Sequence, residues 1–148
     1  FYRANVPGCA DMIQVETSSQ LGVRETRRAL GDHILTQKEV SDRTRFEDCI
    51  GRCGTPDGYF EIPYRSVYSK DVDNLWVAGR CISADHDAQG PIRIIPACIL
   101  TGEAAGTAAA MAVKRGVSSA RELDPKALVD QLLKQGVALR DQTAKLPG

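Results

Sequence analysis

The sequence predicts a mixed α/β fold, an α+β arrangement in which a few strands pack against helices. Two elements carry this prediction. The short apolar run Leu75–Gly79 is typical of a strand buried on both faces. The stretch Pro96–Arg115 opens on a proline, closes on two cations and stops at Gly116, as helices do. A polar loop, Arg80–Ile95, joins the two elements.

Alanine and glycine fill the middle of the predicted helix Pro96–Arg115. Alanine favours helix, whereas Gly102 and Gly106 each cost about 1 kcal/mol relative to alanine. Spaced four residues apart, the two glycines lie on one helix face, where the missing side chains let another backbone approach closely. We therefore expect the helix to pack tightly against a sheet.

Weaker patterns predict elements in the first half of the chain. Apolar and polar residues alternate in Asp11–Thr17 and roughly in Leu21–Leu35, which indicates strands. Thr36 and Glu39 have the spacing of a capping box, which predicts a short helix over Gln37–Arg43.

The glycine-dense stretch Cys49–Gly58 contains a Pro-Asp-Gly turn signal. Tyr59–Tyr68 is rich in aromatic and β-branched residues, but Pro63 places an edge, a bulge or a break there. Near the end of the chain, Asp124 and Pro125 predict the start of a last helix that runs to about Gln135.

The composition is that of an ordinary globular protein. The chain has 148 residues, 43% of them hydrophobic, and its 19 Lys+Arg balance its 19 Asp+Glu. A balanced charge removes the usual reason to expect binding to nucleic acid or to an anionic membrane. No uninterrupted apolar run approaches the roughly 20 residues that span a bilayer, so we expect no membrane span. Because the chain opens on Phe1 rather than Met, we expect a piece of a longer protein.

Five scattered cysteines bear on redox chemistry and metal binding. The odd number favours reduced thiols, and with them an intracellular, cytoplasmic setting. The spacing Cys49-x3-Cys53 is one residue longer than the CxxC of thiol–disulfide enzymes and zinc knuckles, and no second pair follows. We therefore expect no metal site.

The loop Arg80–Ile95 contains the ionisable side chains that are candidates for catalysis or binding: His86 and Arg93, together with Asp85 and Asp87. Open α/β folds place ligands in loops that follow buried strands. The helix beyond the loop directs free N–H groups and a partial positive charge towards whatever lies there. These features favour a site for an anionic or electron-rich planar ligand, and the alternative is a plain connection between strand and helix.

Resemblance to a family sharpens this hypothesis. The run NLWVAGRCISADHDAQGPIRIIPACILTGEAAGTAAAMAV resembles the C-terminal signature of FAD-dependent oxidoreductases, in the glutathione-reductase-like group of flavoproteins. The segments GVRETRRALGDHILTQKEV and YFEIPYRSVYSKDVDNLWVAGR resemble the same family in the same order. The sequence has no GxGxxG loop, which in this family holds the ADP half of FAD. The resemblance therefore implies the C-terminal part of an FAD/NAD(P)-binding Rossmann-type flavoprotein, with FAD as cofactor.

The resemblance also implies roles for individual residues. Gly79 and Arg80 would lie near the ribityl chain and pyrophosphate of FAD. Arg93, Ile94 and Ile95 would present backbone N–H groups, ahead of Pro96, to the N1/C2=O edge of the flavin. That edge gains negative charge on reduction, so a helix N-terminus there would stabilise the reduced form.

Two residues are candidates for catalysis, each with an alternative role. His86 is a candidate general acid or base, or else an ordinary exposed loop histidine. Arg93 is a candidate for binding a substrate carboxylate, or else a residue that only fixes the loop. Arg24, Arg27 and Arg28 line either an anionic pocket or, more simply, a solvated face paired with Glu25.

The resemblance divides the chain into three ranges. Residues 1–70 would be part of a substrate or cap domain, 71–116 the closing strand–loop–helix of the FAD-binding domain, and 117–148 a C-terminal helix and tail. The implied function is hydride or electron transfer between a small organic substrate and FAD, completed by a missing N-terminal Rossmann portion of the same protein. The alternative is a non-catalytic module that packs its Ala/Gly helix on a partner chain.

Overall fold

A computed structural model describes residues 1–55 and 58–139 of the chain. The regular elements of the described residues are five helices and two strands, together with short 3-10 turns at Tyr64–Ser66, Gly79–Cys81 and Ala120–Glu122. In chain order they are α1 (Tyr2–Asn5), α2 (Gln37–Asp42), β1 (Cys49–Thr55), β2 (Gly58–Pro63), α3 (Gln89–Ile92), α4 (Ile95–Arg115) and α5 (Pro125–Lys134). This mixture of helices and a small sheet is compatible with the predicted α+β class.

The strands β1 and β2 form an antiparallel hairpin, with an irregularity between Cys49 and Gly51. The glycine-dense stretch that predicted a turn is thus largely a strand, and the Pro-Asp positions of the turn lie outside the described residues. The glycine at position 51 has a packing reason, because a Cβ there would lie 3.1 Å from the Cβ of Leu100 on α4. The hairpin ends at Pro63, as the missing N–H of that residue predicts.

Three predicted helices are confirmed by their capping interactions. In α2 the Thr36 side chain accepts from the Glu39 amide while the Glu39 carboxylate accepts from the Thr36 amide, which completes the capping box. Asp124 caps α5 by accepting from the Lys126 amide at 3.0 Å. Helix α4 begins at Ile95, one residue before the predicted start, and ends at Gly116, which takes the left-handed conformation with φ of 66°.

One face of α4 is the centre of the core. Its alanines Ala97, Ala104 and Ala108 are fully buried. They pack in one hydrophobic cluster with large side chains from the hairpin and from α5, such as Phe60 and Leu128. Because alanine side chains are short, the helix lies close to the strands. The expectation of a helix packed tightly on a sheet is met by this face, against the β1–β2 hairpin.

The opposite face of α4 is exposed. Ile95, Ile99 and Val113 are 76%, 61% and 81% exposed. A Cβ on Gly102 or Gly106 would meet nothing within 4 Å. The close backbone approach that these two glycines predicted is therefore not made by the described residues.

Helix α4 is also the one helix in residues 1–55 and 58–139 that is long and apolar enough to cross a membrane, judged by length and composition alone. About 33% of its most apolar stretch is buried. Core helices of soluble proteins and signal sequences have the same composition, so the expectation of no membrane span stays a prediction.

Three predicted strands are wrong. Asp11–Thr17 and Leu21–Leu35 contain no strand, and the latter makes one isolated bridge, between Leu35 and Ala84. In Leu75–Gly79, Trp76 makes a single bridge with Tyr68, and Leu75 is 40% exposed. The physical reason is the same for all three segments. A ladder needs a hydrogen-bonded neighbour along its length, and the described residues supply only isolated contacts.

The predicted ranges 1–70, 71–116 and 117–148 contribute to one shared core, which runs from Leu35 to Leu139. The hydroxyl of Tyr64 links them directly, because it donates to the carbonyl of Ala120 and accepts from the indole N–H of Trp76, both at 2.9 Å. The assignment of these ranges to parts of a larger protein stays a prediction.

The segment before α2 is fixed to the rest of the fold by Asp32. Its carboxylate accepts from the hydroxyl of Tyr68 at 2.8 Å and from Nε of Arg121 at 2.6 Å. The hydrogen bond from Arg121 is the main cause that holds the pKa of Asp32 below its ordinary value. Asp32 thereby joins three parts of the chain that are far apart in sequence.

We predict that Gly31→Ala lowers the free energy of unfolding by about 1–3 kcal/mol, the cost of overpacking a tight site. A Cβ at this position would lie 2.5 Å from the carbonyl oxygen of Arg65, which is backbone and cannot move aside easily. Urea denaturation measures the difference. Gly22→Ala is the matched control, because nothing lies within 4 Å of its Cβ position. Equal stability of the two variants would contradict the packing at Gly31.

We predict that Asp32→Asn removes part of the acid sensitivity of the fold. A carboxyl group whose pKa is lowered by folding stabilises the native state above its unfolded value, near 3.8, and that contribution is lost as the pH falls through the lowered folded value. Thermal unfolding between neutral pH and about pH 3 should therefore show a smaller decline in Tm for the variant than for the natural chain. Asp42→Asn, which breaks an exposed pair with Lys38, should leave the decline unchanged.

Candidate functional site

The turn at Gly79 is docked on the first turns of α4. The amide of Gly79 donates to the hydroxyl of Thr101 at 2.9 Å, and that hydroxyl donates to the carbonyl of Ala97 at 2.8 Å. Thr101 is fully buried. Gly79 has a φ of 63°, a left-handed conformation that glycine adopts without strain. This pair of hydrogen bonds fixes the end of the Leu75–Gly79 segment relative to the helix.

The N-terminus of α4 is open. Its N-cap is Ile94, and no side chain caps the helix. Ile94 and Ile95 are 40% and 76% exposed, and Pro96 is exposed as well. Pro96 has no N–H, so the unpaired donors at this end come from its neighbours. The arrangement leaves a helix end with partial positive charge facing outward.

The backbone of Arg93 corrects one sequence prediction. Its amide donates to the carbonyl of Gln89 at 3.2 Å, within the last turn of α3. That N–H is therefore not available to a ligand, unlike those of Ile94 and Ile95, for which no hydrogen bond to a described residue is present. The Arg93 guanidinium is different: it has no hydrogen-bond or ion-pair partner in the part of the chain that the structure describes.

Two side chains hold the loop before α4: Asp85, which the sequence had placed among the candidate residues of the loop, and Gln89, which sequence reasoning missed. Asp85 accepts from the amide of Ala88 at 2.7 Å and from the amide of Gln37 at 3.0 Å. Gln89, only 1% exposed, donates to the carbonyl of Arg80 at 3.0 Å. An Asp that accepts from the amide three residues later is a common capping arrangement, and the sequence does contain this signal. For Gln89 the sequence holds no comparable signal.

The structure places His86 against Glu25. Nδ1 of His86 lies 2.7 Å from Oε2 of Glu25, although the two residues are 61 positions apart. The other oxygen of Glu25 pairs with Arg28 at 3.1 Å. The His86 side chain is 82% exposed, so it is a surface histidine with an ordered partner. The expected pairing of Glu25 with the arginines of its own segment is met by Arg28.

The remaining predicted site residue, Arg80, is exposed, and its guanidinium donates to the carbonyl of Val23 at 3.3 Å. The sequence-predicted residues therefore form two groups. Gly79, Ile94, Ile95 and Pro96 lie at the start of α4, and Arg80 and His86 contact the segment 23–25. No hydrogen bond joins His86 to Arg93 within residues 1–55 and 58–139.

Two pockets away from the start of α4 share Phe46 as a lining residue. One of about 270 Å³ is lined by Cys49, Glu61 and Arg52, and one of about 460 Å³ by Asp48, Arg65 and Lys126 among others. Glu61 is buried and accepts from Arg45 at 2.6 Å and from the amide of Phe46 at 2.9 Å. These contacts pair the buried carboxylate of Glu61 with neighbouring residues of the same pocket.

Burial disfavours the thiolate form of Cys49 and Cys53. Burial raises the pKa of Cys49 to about 12 and that of Cys53 to about 11. A thiol with such a pKa is protonated at neutral pH and is a poor nucleophile. No group of three or more His, Cys, Asp or Glu side chains is placed to hold a metal ion among the described residues.

Comparison with known families decides the affiliation of the chain. A family model described as FAD dependent oxidoreductase matches residues 1–56 and 53–132. The two matched stretches cover most of the 148 residues. The chain belongs to the FAD dependent oxidoreductase family. No curated protein and no solved structure matches it.

Membership of the family confirms the resemblance drawn from the sequence motifs. The family description implies oxidoreductase chemistry with FAD. The second matched stretch contains the Gly79 turn, the loop with His86 and Arg93, and the whole of α4. The features described above therefore lie within the residues that match the family model, with Glu25 and Gln37 in the first stretch.

We predict that Thr101→Val lowers the free energy of unfolding by about 1–3 kcal/mol. Valine has nearly the same shape but cannot accept the hydrogen bond from Gly79, so a partly buried amide is left without its partner. Chemical denaturation checks the difference. Thr107→Val is the matched control on the same helix, since its hydroxyl makes an exposed bond to Gln135. A Thr101→Val variant as stable as the control would overturn the role given to Thr101.

Proposed function

We propose that this chain binds the isoalloxazine side of FAD at the start of α4 and takes part in hydride or electron transfer between a small organic substrate and the flavin. The open N-terminus of α4 is the observation that carries the proposal. A helix of 21 residues begins there without a side-chain cap, and Ile94, Ile95 and Pro96 are exposed around it.

The residues at this end suit the flavin in chemical terms. The pyrimidine edge of an isoalloxazine carries oxygen and nitrogen acceptors and gains negative charge on reduction. Free amides and a partial positive charge stabilise such an edge, and the exposed side chains of Ile94 and Ile95 suit the apolar ring system beside it. When bound, FAD supplies two-electron chemistry by accepting a hydride from a substrate carbon.

Three side chains of the loop before α4 would supply binding and proton transfer. The unpaired Arg93 guanidinium suits a carboxylate of the substrate or the flavin edge itself. Arg80, exposed beside the Gly79 turn, suits the phosphates of FAD. The ring of His86 suits proton uptake: when a substrate carbon loses a hydride, its O–H or N–H group releases one proton, which passes to a free ring nitrogen.

The exposed face of α4 supports a further part of the proposal. Ile95, Ile99 and Val113 lie along it with Gly102 and Gly106, and none of the described residues covers the two glycines. A parallel sheet of Rossmann type, from an N-terminal portion of the same protein, would bury this face. The glycines would then make the close approach for which their spacing is suited.

The same face is the observation that favours the alternative function, a non-catalytic module bound to a partner chain. The two functions differ in one measurable property, the presence of flavin. Protein produced from the complete reading frame should be yellow under the first proposal. If it shows no flavin absorbance even after reconstitution with FAD, the oxidoreductase proposal fails and the module is favoured.

We predict that Arg93→Ala weakens FAD or substrate binding in that complete protein by about tenfold, the effect of losing one charged hydrogen bond. Fluorescence titration with FAD, and with small carboxylic acids on the loaded protein, measures both affinities. Arg115→Ala, at the opposite end of the same helix, is the matched control and should bind as the natural protein does. Unchanged affinities for Arg93→Ala would remove Arg93 from the site.

A further inference from the structure

The ring of His86 is held at one nitrogen by a carboxylate from a distant part of the sequence. Nδ1 of His86 lies 2.7 Å from Oε2 of Glu25. Glu25 is only 20% exposed, whereas His86 is 82% exposed. The carboxylate is thus the more buried partner, and the ring projects outward from it.

The carboxylate of Glu25 is itself fixed. Its second oxygen, Oε1, pairs with the guanidinium of Arg28 at 3.1 Å, so each oxygen has a different partner. The segment that carries Glu25 is attached to the loop on both sides. Arg80 donates to the carbonyl of Val23 at 3.3 Å, and the amide of Ala29 donates to the carbonyl of Cys81 at 2.9 Å.

The backbone at His86 is fixed from the other side by its neighbour Asp85. That carboxylate accepts from two amides, those of Ala88 and Gln37, and the amide of Asp85 donates to the carbonyl of Leu35 at 2.9 Å. The main chain and the ring of His86 are therefore both held by other residues. This is more order than an isolated surface ion pair provides.

We propose that Glu25 is a positioning residue for His86, which keeps the proton of the neutral ring on Nδ1 and leaves the lone pair on Nε2. An ionised carboxylate accepts hydrogen bonds and does not donate, so its partner nitrogen must carry the hydrogen. Nε2 then has no hydrogen-bond partner in the described part of the chain and is free to take a proton from a substrate. The catalytic use of this arrangement rests on the proposed function.

His33, the second of the two histidines in the sequence, provides an internal reference. Its contact to a carboxylate is made through the other nitrogen: Nε2 lies 3.2 Å from Oε2 of Glu39. By the same reasoning the neutral ring of His33 carries its hydrogen on Nε2. The two histidines of this chain should therefore be opposite tautomers.

Nitrogen-15 NMR of the 148-residue chain labelled in its histidine rings distinguishes the two tautomers directly. Spectra recorded at alkaline pH should show the hydrogen of His86 on Nδ1 and that of His33 on Nε2. In Glu25→Ala the His86 pattern should be lost and replaced by that of an unrestrained imidazole, while the His33 pattern stays unchanged. Glu25→Gln offers both an oxygen that accepts and an NH2 group that donates, so it should no longer hold the ring in one form and should give a mixture of the two tautomers.

The NMR results test the positioning role of Glu25 whether or not FAD is bound. A cooperative urea-unfolding transition shows that the Glu25→Ala variant is folded. If the natural chain carries the His86 hydrogen on Nε2, or if Glu25→Ala leaves the His86 pattern unchanged, the positioning role is overturned whether or not the complete protein binds flavin. If the tautomers are as expected but the complete protein is colourless, the proposed oxidoreductase function fails and the Glu25–His86 geometry stands.

Discussion

The structure depends on the close packing of the alanine face of α4 against the β1–β2 hairpin. Ala97, Ala104 and Ala108 are fully buried on this face, and Gly51 in β1 leaves room for Leu100. Larger residues at these positions would hold the helix away from the strands. Because short side chains let the backbones come close, this one contact organises the hairpin, α4 and α5 around a single core.

Helix α4 has two unlike faces, and this contrast connects the fold with the proposed function. The alanine face is buried, while the face with Ile99, Gly102 and Gly106 is exposed. A long helix that is apolar on both faces is suited to lie between two layers of a larger structure. The description of the family to which the chain belongs implies FAD. The proposed second layer, which would complete a flavin-binding domain, would cover the exposed face.

The candidate site consists of two parts: the Gly79 turn with the start of α4, and the loop that carries His86. The Gly79 turn and the start of α4 are locked together through the buried hydroxyl of Thr101. The loop with His86 is held by polar contacts to residues that come much earlier in the chain, above all Glu25 and Gln37. The proton transfer proposed for His86 requires a ring held at a defined place, and these contacts hold it without burying the ring.

The sequence by itself determined the elements whose signals are local. The capping box at Thr36, the cap at Asp124 and the glycine at the end of α4 involve residues a few positions apart. The family was also readable from motifs alone. By contrast, the predicted strand Leu75–Gly79 fails because a strand exists only beside a neighbour, and no local pattern supplies one. Only the tertiary structure decided that Glu25 reaches His86 and that Thr101 receives the Gly79 amide. Those pairs are 61 and 22 positions apart, and the way the chain folds back, rather than any periodicity, brings them together.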